Sequence, residues 1–545
     1  MRNAHAVAAV RAAEGALMAT LPDGALMQRA AAGLAAVCAR LLGRLYGSQV
    51  VVFAGSGDNG GDALYAGARL AARGAVVTAI AAAPRIHEGG AAALRADGGR
   101  LIEAADPAAG PAIGKADLII DGLLGIGGRG GLREPAASLA AAASRASRAS
   151  RASRASRASP ASRASSASPA GRSGAVVVAA DLPSGIDADT GEAAGAAVRA
   201  DVTVTFGTLK PGLLIDPGAS HAGVVEFVDI GLGGYLGPPD VAAPQAADVA
   251  AWLPRPSAES DKYRRGVLGI VAGSDRFTGA AQLSVGGAIR GGAGMVRLVS
   301  APAAVAVVRQ RWPEAVITTI GAGESGEQVI EEAGRVQAWV AGPGMGTDDA
   351  AAGRLAAVLA TDLPVLVDAD GITLLAEQRQ LLRREAPTLI TPHAGELARL
   401  LGADRADIEA HRLRFAADAA AELGCTVLLK GSTTVIARAR PEREVLVTLT
   451  GTSWLATAGS GDVLSGLAGS LLAQGLEPPR AAAAAAYLHG MAARLAADGV
   501  SGGVVGGGTG GAEAAGDAEG APIGAFDLIT ALPAATRVVK AAADI

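Results

Sequence analysis

Apolar residues recur at helical spacing through A-L-M-Q-R-A-A-A-G-L-A-A-V-C-A-R-L-L, so residues 1–46 are expected to be helical. The next apolar stretch, Q-V-V-V-F-A at 49–54, is short and continuous, the pattern of a strand buried on both faces. It leads into a glycine-rich loop and a helix expected from about Ala63 to Arg73. Similar runs at 76–81, 117–124, 175–180, 202–206 and 224–228 predict further strands, with helix-like stretches between most of them. Such alternation points to a parallel sheet covered by helices on both faces. The pattern restarts at Gly266 with G-V-L-G-I-V-A-G-S and continues nearly to the end, where F-D-L-I-T-A-L-P-A-A-T-R-V-V reads as a docking helix. Two α/β domains are therefore expected, 1–240 and 250–545, joined through the proline-containing segment 236–250.

Two segments break the pattern. Residues 144–173 repeat S-R-A with a period of three, which matches neither helix nor strand, and they carry no acidic residue. This predicts a disordered insertion in the first domain. A basic serine tract can hold RNA, but the plainer reading is a solvated loop. Residues 499–521 form a second, glycine-rich insertion.

Composition narrows the class. Half the residues are hydrophobic but only 3% are aromatic, and there are 76 glycines, which fits tight strand-to-helix turns better than an aromatic β-sandwich. A formal net charge of −4 gives no electrostatic case for nucleic acid. Cys38 and Cys425 lie far apart and read as reduced, buried thiols. The first 32 residues carry scattered charges and no signal-peptide core, and no uncharged apolar run reaches the ~20 residues of a membrane span. A cytoplasmic protein with no membrane partner is expected.

Among 48 basic residues only Lys115, Lys210, Lys262, Lys430 and Lys540 are lysine, and Asn3 and Asn59 are the only asparagines. A sequence that so avoids these residues keeps them where the chemistry asks for them.

Two stretches carry candidate chemistry. The first, T-A-G-S-G-D-V-L-S-G, has small residues directly before an apolar helical run. Free amides at a helix start, with the helix dipole, make an anion site. Gly459 and Gly461 let phosphate approach the backbone, and Asp462 can serve as a base toward a substrate hydroxyl. The bland alternative is an ordinary helix cap. The second, G-S-G-D-N-G-G-D at 55–62, lies between a strand and a helix. It suits a dinucleotide loop, a cation ligand at Asn59, or a plain turn.

Five ordered motifs from Asp261 onward make the second half resemble the ribokinase-like ADP-dependent NAD(P)H-hydrate dehydratases: D-K-Y-R-R-G-V-L-G-I-V-A-G-S, F-T-G-A-A-Q-L-S-V-G-G-A-I-R, A-G-P-G-M-G, P-V-L-V-D-A-D-G with T-L-I-T-P-H-A-G-E, and L-L-K-G-S-T-T-V-I ahead of the final glycine loop. The resemblance implies substrate contacts at Ala280, Gly344, His393 and Asp462, with Asp462 as the base. It implies adenine-nucleotide contacts at Lys430, Gly431, Ser432, Thr433, Thr434 and Gly461, with ADP as co-substrate and Mg2+ as its metal. His393 as a turn residue and Lys430 as a surface residue are the plain alternatives.

Residues 10–235 resemble the NAD(P)H-hydrate epimerase family through L-M-Q-R-A-A-A-G, G-S-G-D-N-G-G-D, I-I-D-G-L-L-G-I-G-G-R-G-G, A-A-D-L-P-S-G-I-D-A-D-T-G and A-D-V-T-V-T-F-G-T-L-K-P-G. This implies substrate contacts at Asp58, Asn59, Gly60, Gly61 and Asp62, at Gly125, Ile126, Gly127, Gly128, Arg129, Gly130 and Gly131, and at Asp181, taken as the acid/base. It also implies potassium ligands Asn59, Asp121 and Ser184. The chain departs from this family at Asp58 (usually Asn), Ala63 (usually Gly) and Ile126 (usually Thr), and from the dehydratase family at Asp261 (usually His). The added carboxylate at Asp58 is expected to weaken anion binding or strengthen the cation site.

Together the resemblances imply two three-layer α/β/α domains, Rossmann-like then ribokinase-like. They imply repair of hydrated NADH and NADPH by a homo-oligomer: epimerisation of the R and S forms, then ADP-dependent dehydration of the S form. A vitamin-alcohol kinase on the same scaffold, and a non-catalytic first domain, are the rival readings.

Overall fold

The structure is a computed structural model and describes residues 1–157, 174–257, 259, 261–321, 323–439, 444–499 and 520–542. It divides into a unit spanning Asn3–Asp240 and a unit built from Val241–Ile545 with the first two residues.

Among the described residues the first unit's sheet has seven strands: β1 Gln49–Ala54, β2 Val76–Ala81, β3 Arg100–Glu103, β4 Leu118–Gly122, β5 Val176–Ala180, β6 Val202–Phe206 and β7 Val224–Val228. All pairs are parallel, in the order β3-β2-β1-β4-β5-β6-β7. Val50, Val52 and Ala54 enter one apolar layer while Val51 and Phe53 enter the other, so alternate residues of one strand feed both faces. The order reverses between β1 and β4, and open α/β sheets place their ligand crevice beyond the strand ends at such a point.

Helices α1 (Val7–Met18), α2 (Ala25–Leu42) and α3 (Asp58–Ala71) belong to this unit. By length and a mean hydropathy of 1.3, α2 is apolar enough to cross a bilayer; its Ala30, Leu34 and Cys38 stripe is instead packed into the sheet's core. α3 begins five residues earlier than expected, inside the glycine stretch. The reason is close packing: a Cβ on Gly60 would lie 2.4 Å from the Gly55 carbonyl oxygen, and one on Gly55 would lie 1.9 Å from that of Leu123. These glycines admit backbone to backbone rather than turn the chain.

Helix α4 (Ala136–Arg157) corrects the expectation of disorder from residue 144. Alanine and arginine are strong helix formers, and neither Gly nor Pro interrupts them until Pro160. Buried Ser147 ties the start of the run to Asp201 at 3.0 Å. The remainder of that insertion, and 500–519 of the glycine-rich one, lie outside the described residues.

The second unit's strands are β8 Val241–Ala243, β9 Val267–Val271, β10 Met295–Ser300, β11 Val316–Thr319, β12 Ala338–Ala341, β13 Val365–Val367, β14 Thr388–Ile390, β15 Thr426–Leu429, β16 Thr434–Ala437 and β17 Val445–Thr448. They run β8-β17-β16-β15-β14-β13-β12-β9-β10-β11, antiparallel only where β16 meets its two neighbours. β8 falls within the segment expected to be linker. Here the reversal lies between β9 and β12. Helix α5 (Thr278–Arg290) packs against α6 (Ser460–Ala473), and α7 (Ala525–Ala541) closes over both. A Cβ on Gly466 would sit 1.9 Å from the Ser284 carbonyl oxygen, so only glycine lets α6 seat this deeply.

Candidate active sites

In the first unit the loops after β1, β4 and β5 converge on a cleft of about 680 Å³. Asp58, Asn59, Asp62, Gly125, Ile126, Gly127, Gly128 and Asp181 line it; Gly60, Gly61, Arg129, Gly130 and Gly131 do not, with Gly60 packed on Gly55, Gly61 on His87 and Gly131 on Gly195. Arg11 and Glu14 of α1 join the wall.

Asp181 follows β5 with φ +61, a conformation that costs a non-glycine residue energy and clusters at functional sites. Its Oδ1 accepts from Lys210 Nζ, from Thr205 Oγ1 at 3.1 Å and from the Phe206 amide at 3.1 Å. Lys210 is 1% exposed and also donates to the Phe206 carbonyl at 3.2 Å. The sequence marked Lys210 by the rarity of lysine but gave it no partner.

Asp121, wholly buried, accepts from Ser184 Oγ at 2.7 Å and from the Ser184 amide at 2.9 Å. Burial pushes its carboxyl up to about 6 against the pull of those hydrogen bonds. Ser184 also meets the Leu124 carbonyl at 3.0 Å, to which Asn59 Nδ2 donates at 3.0 Å. Asn59 Oδ1 is buried with no hydrogen-bond partner. Asn59 and Ser184 thus meet at one carbonyl, Asp121 is joined to them through Ser184, and one acceptor is unmet. Glu14 is raised above its ordinary value by burial, then by Asp181 and Asp58 against the pull of Lys210.

In the second unit Gly459, at φ +85, caps α6 without a side-chain hydrogen bond, leaving the helix start open. Asp462 stands in its first turn. Burial, then Asp368, push its carboxyl up to about 7, with Lys430 pulling the other way. Lys430 Nζ reaches Asp368 Oδ1 at 2.8 Å and Glu396 Oε2 at 3.8 Å. Burial lowers the Lys430 pKa, but Asp368 and Glu396 outweigh it and the net shift is upward. Asp368 Oδ2 accepts from Ser465 Oγ at 2.5 Å. A Cβ on Gly461 would lie 3.5 Å from Lys430 Nζ, so the lysine crosses directly over the glycine loop.

Ala280 and Gly344, both expected as substrate contacts, lie against each other: a Cβ on Gly344 would be 2.8 Å from that of Ala280. The Gly346 amide binds Asp370 Oδ2 at 3.0 Å, and Ala369, between the two aspartates, holds φ +49. His393 caps helix Ala394–Leu401, its Nδ1 accepting from the Glu396 amide at 3.1 Å while Glu396 returns a bond at 2.8 Å. The plain reading of this histidine as a turn residue therefore describes its contacts. Gly431 and Ser432 are exposed and Thr433 is buried; Thr434 opens β16. Asp368, Asp370, Glu396 and Ser465 were missed. The signal for the first two was present, two carboxylates directly after an apolar strand in V-L-V-D-A-D.

Each domain has its own family match. Residues 268–504 match the family described as NAD(P)H-hydrate dehydratase, and residues 23–212 the family described as YjeF-related protein N-terminus. The bifunctional NAD(P)H-hydrate repair enzyme Nnr of Mycobacterium leprae is 46% identical over 503 residues, 91% of this chain and 94% of the relative. That of Mycobacterium tuberculosis is 47% identical over 490 residues, 89% and 92% of the two chains. A solved ADP/ATP-dependent NAD(P)H-hydrate dehydratase from Bacillus subtilis is 28% identical, covering 55% of this chain and 99% of its own, with a TM-score of 0.44. One match per domain defines the class first: an enzyme with two centres fused in one chain. Identity at this level across both domains then fixes the particular group, and the chain belongs to the family of bifunctional NAD(P)H-hydrate repair enzymes.

Proposed function

We propose that the first domain interconverts the R and S hydrates of NADH and NADPH. The second returns the S hydrate to the reduced dinucleotide, converting ADP to AMP and phosphate. The hydrate carries a hydroxyl at C6 of the nicotinamide ring, and hydroxide is a poor leaving group. Asp462 takes the hydroxyl proton as the oxygen attacks the terminal phosphate of ADP and AMP departs. The ring nitrogen lone pair then expels phosphate, and loss of a proton from C5 restores the double bond. The open amides of α6 hold the charge that develops on phosphate, and Lys430 neutralises the surrounding carboxylates. The single observation that carries this reading is Asp462: a carboxyl raised to about 7, at an uncapped helix start, beside a partly buried lysine.

No cluster of three or more metal-binding side chains occurs among the described residues. Mg2+ bound largely through nucleotide phosphates needs only one or two carboxylates, and Asp368 and Asp370 would supply them. When bound, the metal would offset phosphate charge. In the first domain the unmet Asn59 Oδ1, with Ser184 Oγ, the Leu124 carbonyl and Asp121, forms an all-oxygen set suited to K+, which would brace the cleft wall. Asp181 is the acid/base of epimerisation. The same reading makes the protein a homo-oligomer of the cytoplasm.

The test is restoration of reduced-nicotinamide absorbance from hydrated NADPH, with ADP and ATP in parallel. Recovery with ADP supports the reading. Recovery with neither nucleotide refutes it, as does phosphorylation of a vitamin alcohol in its place.

A further inference from the structure

Four carboxylates face the first-domain cleft, and two are held in opposite ways. Asp181 is anchored in an ion pair: Lys210, Thr205 and the Phe206 amide all converge on its Oδ1. Asp62, on the first turns of α3, has no such anchor. It is 9% exposed, lines the cleft, and its Oδ1 is buried without a hydrogen-bond partner. The charged groups around it are Asp58 on its own helix, Glu14 and Arg11 on α1, Asp181 after β5, and Lys210 behind Asp181. Burial comes first, then Asp181, Asp58 and Glu14, in lifting its carboxyl well above the usual range. An unpaired, buried acid facing an ion-paired carboxylate across one substrate cleft is how a site separates its proton donor from its base.

We propose that Asp62 is the second proton carrier of epimerisation, donating to the ring nitrogen while Asp181 takes the hydroxyl proton. The inference rests on the first domain being the epimerase and adds a reacting group to it. Asp181 removes the proton of the C6 hydroxyl, the C–O bond becomes a carbonyl, and the bond from C6 to the ring nitrogen breaks. The electron pair stays on nitrogen, where Asp62 delivers its proton. Rotation about the C5–C6 single bond presents the other face of the aldehyde carbon. Nitrogen then re-attacks, its proton returns to Asp62, and the oxygen regains a proton from Asp181. Both carboxyls finish as they began, and nothing is oxidised or consumed. Lys210 acts through Asp181 as a positioning residue.

The experiment uses Asp62→Asn and Asp62→Glu in the full chain, following interconversion of separated R and S hydrates of NADPH without ADP. For Asp62→Asn the expected result is a fall in kcat of about 10²–10³, with KM changed by less than about 3-fold on the order of a single lost contact. Wild-type kcat falls as pH rises through the Asp62 titration, and this limb disappears in Asp62→Asn. Asp62→Glu restores part of the rate and keeps the limb. Should Asp62→Asn fail to fold, judged by the urea midpoint, Asp62→Glu decides: a retained but displaced limb supports the proposal and an unmoved limb overturns it. A folded Asp62→Asn with wild-type kcat and pH profile overturns it, and so does a loss confined to KM. A wild-type enzyme that leaves the R hydrate unconverted instead removes the assignment of the domain itself.

Discussion

Replacing Asp462 with asparagine should make the second domain more stable while stopping its chemistry. The folded protein holds a proton on this carboxyl up to about pH 7, whereas the unfolded chain releases it near the ordinary 3.8. The folded state therefore binds more protons in that window and loses stability as pH rises across it. Three pKa units correspond to about 4 kcal/mol as an upper bound. Asp462 keeps part of its surface in water, so roughly half of that, about 2 kcal/mol, is the working figure at pH 8. Asparagine has the same shape and no charge to bury, so the variant escapes the cost. Urea titration of both proteins at pH 5 and pH 8 measures it: the advantage of Asp462→Asn should widen toward pH 8. Loss of the base should lower S-hydrate turnover by about 10²–10⁴-fold. A stability gap that stays constant with pH would show that burial does not set this carboxyl. Turnover at the wild-type rate would show that it is not the base.

Three further outcomes follow from the same geometry. Lys430→Met removes the cation facing Asp368 and Glu396 and should destabilise the second domain by about 3–5 kcal/mol, with a raised KM for ADP in steady-state assays. Lys210→Met should abolish R-to-S conversion while leaving dehydration of purified S hydrate intact, and Lys210→Arg should restore part of it; equal loss of both reactions would contradict independent centres. Cys38 and Cys425, whose thiols burial pushes to about 12, should resist maleimide until the chain is unfolded, as mass spectrometry would show.

The sheets were legible because their strands are buried on both faces and so read as unbroken apolar runs: Q-V-V-V-F-A needs no partner to be recognised. Edge strand Arg100–Glu103 was not, since R-L-I-E has only two apolar residues and Ile102 alone is buried. Helix α3 was placed late because its glycines look like loop in sequence, whereas the contact that requires them, Gly60 against Gly55, is tertiary. The Ser-Arg-Ala run defeated pattern reading for the opposite reason, since its helix rests on propensity and its period of three is not a helical one. At the sites, the motifs pointed to residues such as Asp462, Asp121 and Asn59, and to Ser184 and Lys430 beside them, while Asp368, the carboxylate that most raises Asp462 after burial, was not picked out. Asp368 is 94 positions from Asp462 in the chain and meets Lys430 only through the sheet order. Lysine scarcity pointed at Lys210 and Lys430, yet only the fold shows that each neutralises a buried aspartate.

The most direct measurement is a single incubation of mixed R and S hydrated NADPH with wild type, Asp181→Ala and Asp462→Asn, each with ADP. Wild type should return all of the hydrate to NADPH with one AMP released per molecule restored, and Asp181→Ala should recover the S fraction and stop. Asp462→Asn should recover almost none while still equilibrating the two isomers. Complete recovery by Asp181→Ala, or loss of isomer exchange in Asp462→Asn, would contradict the division of labour between the two centres.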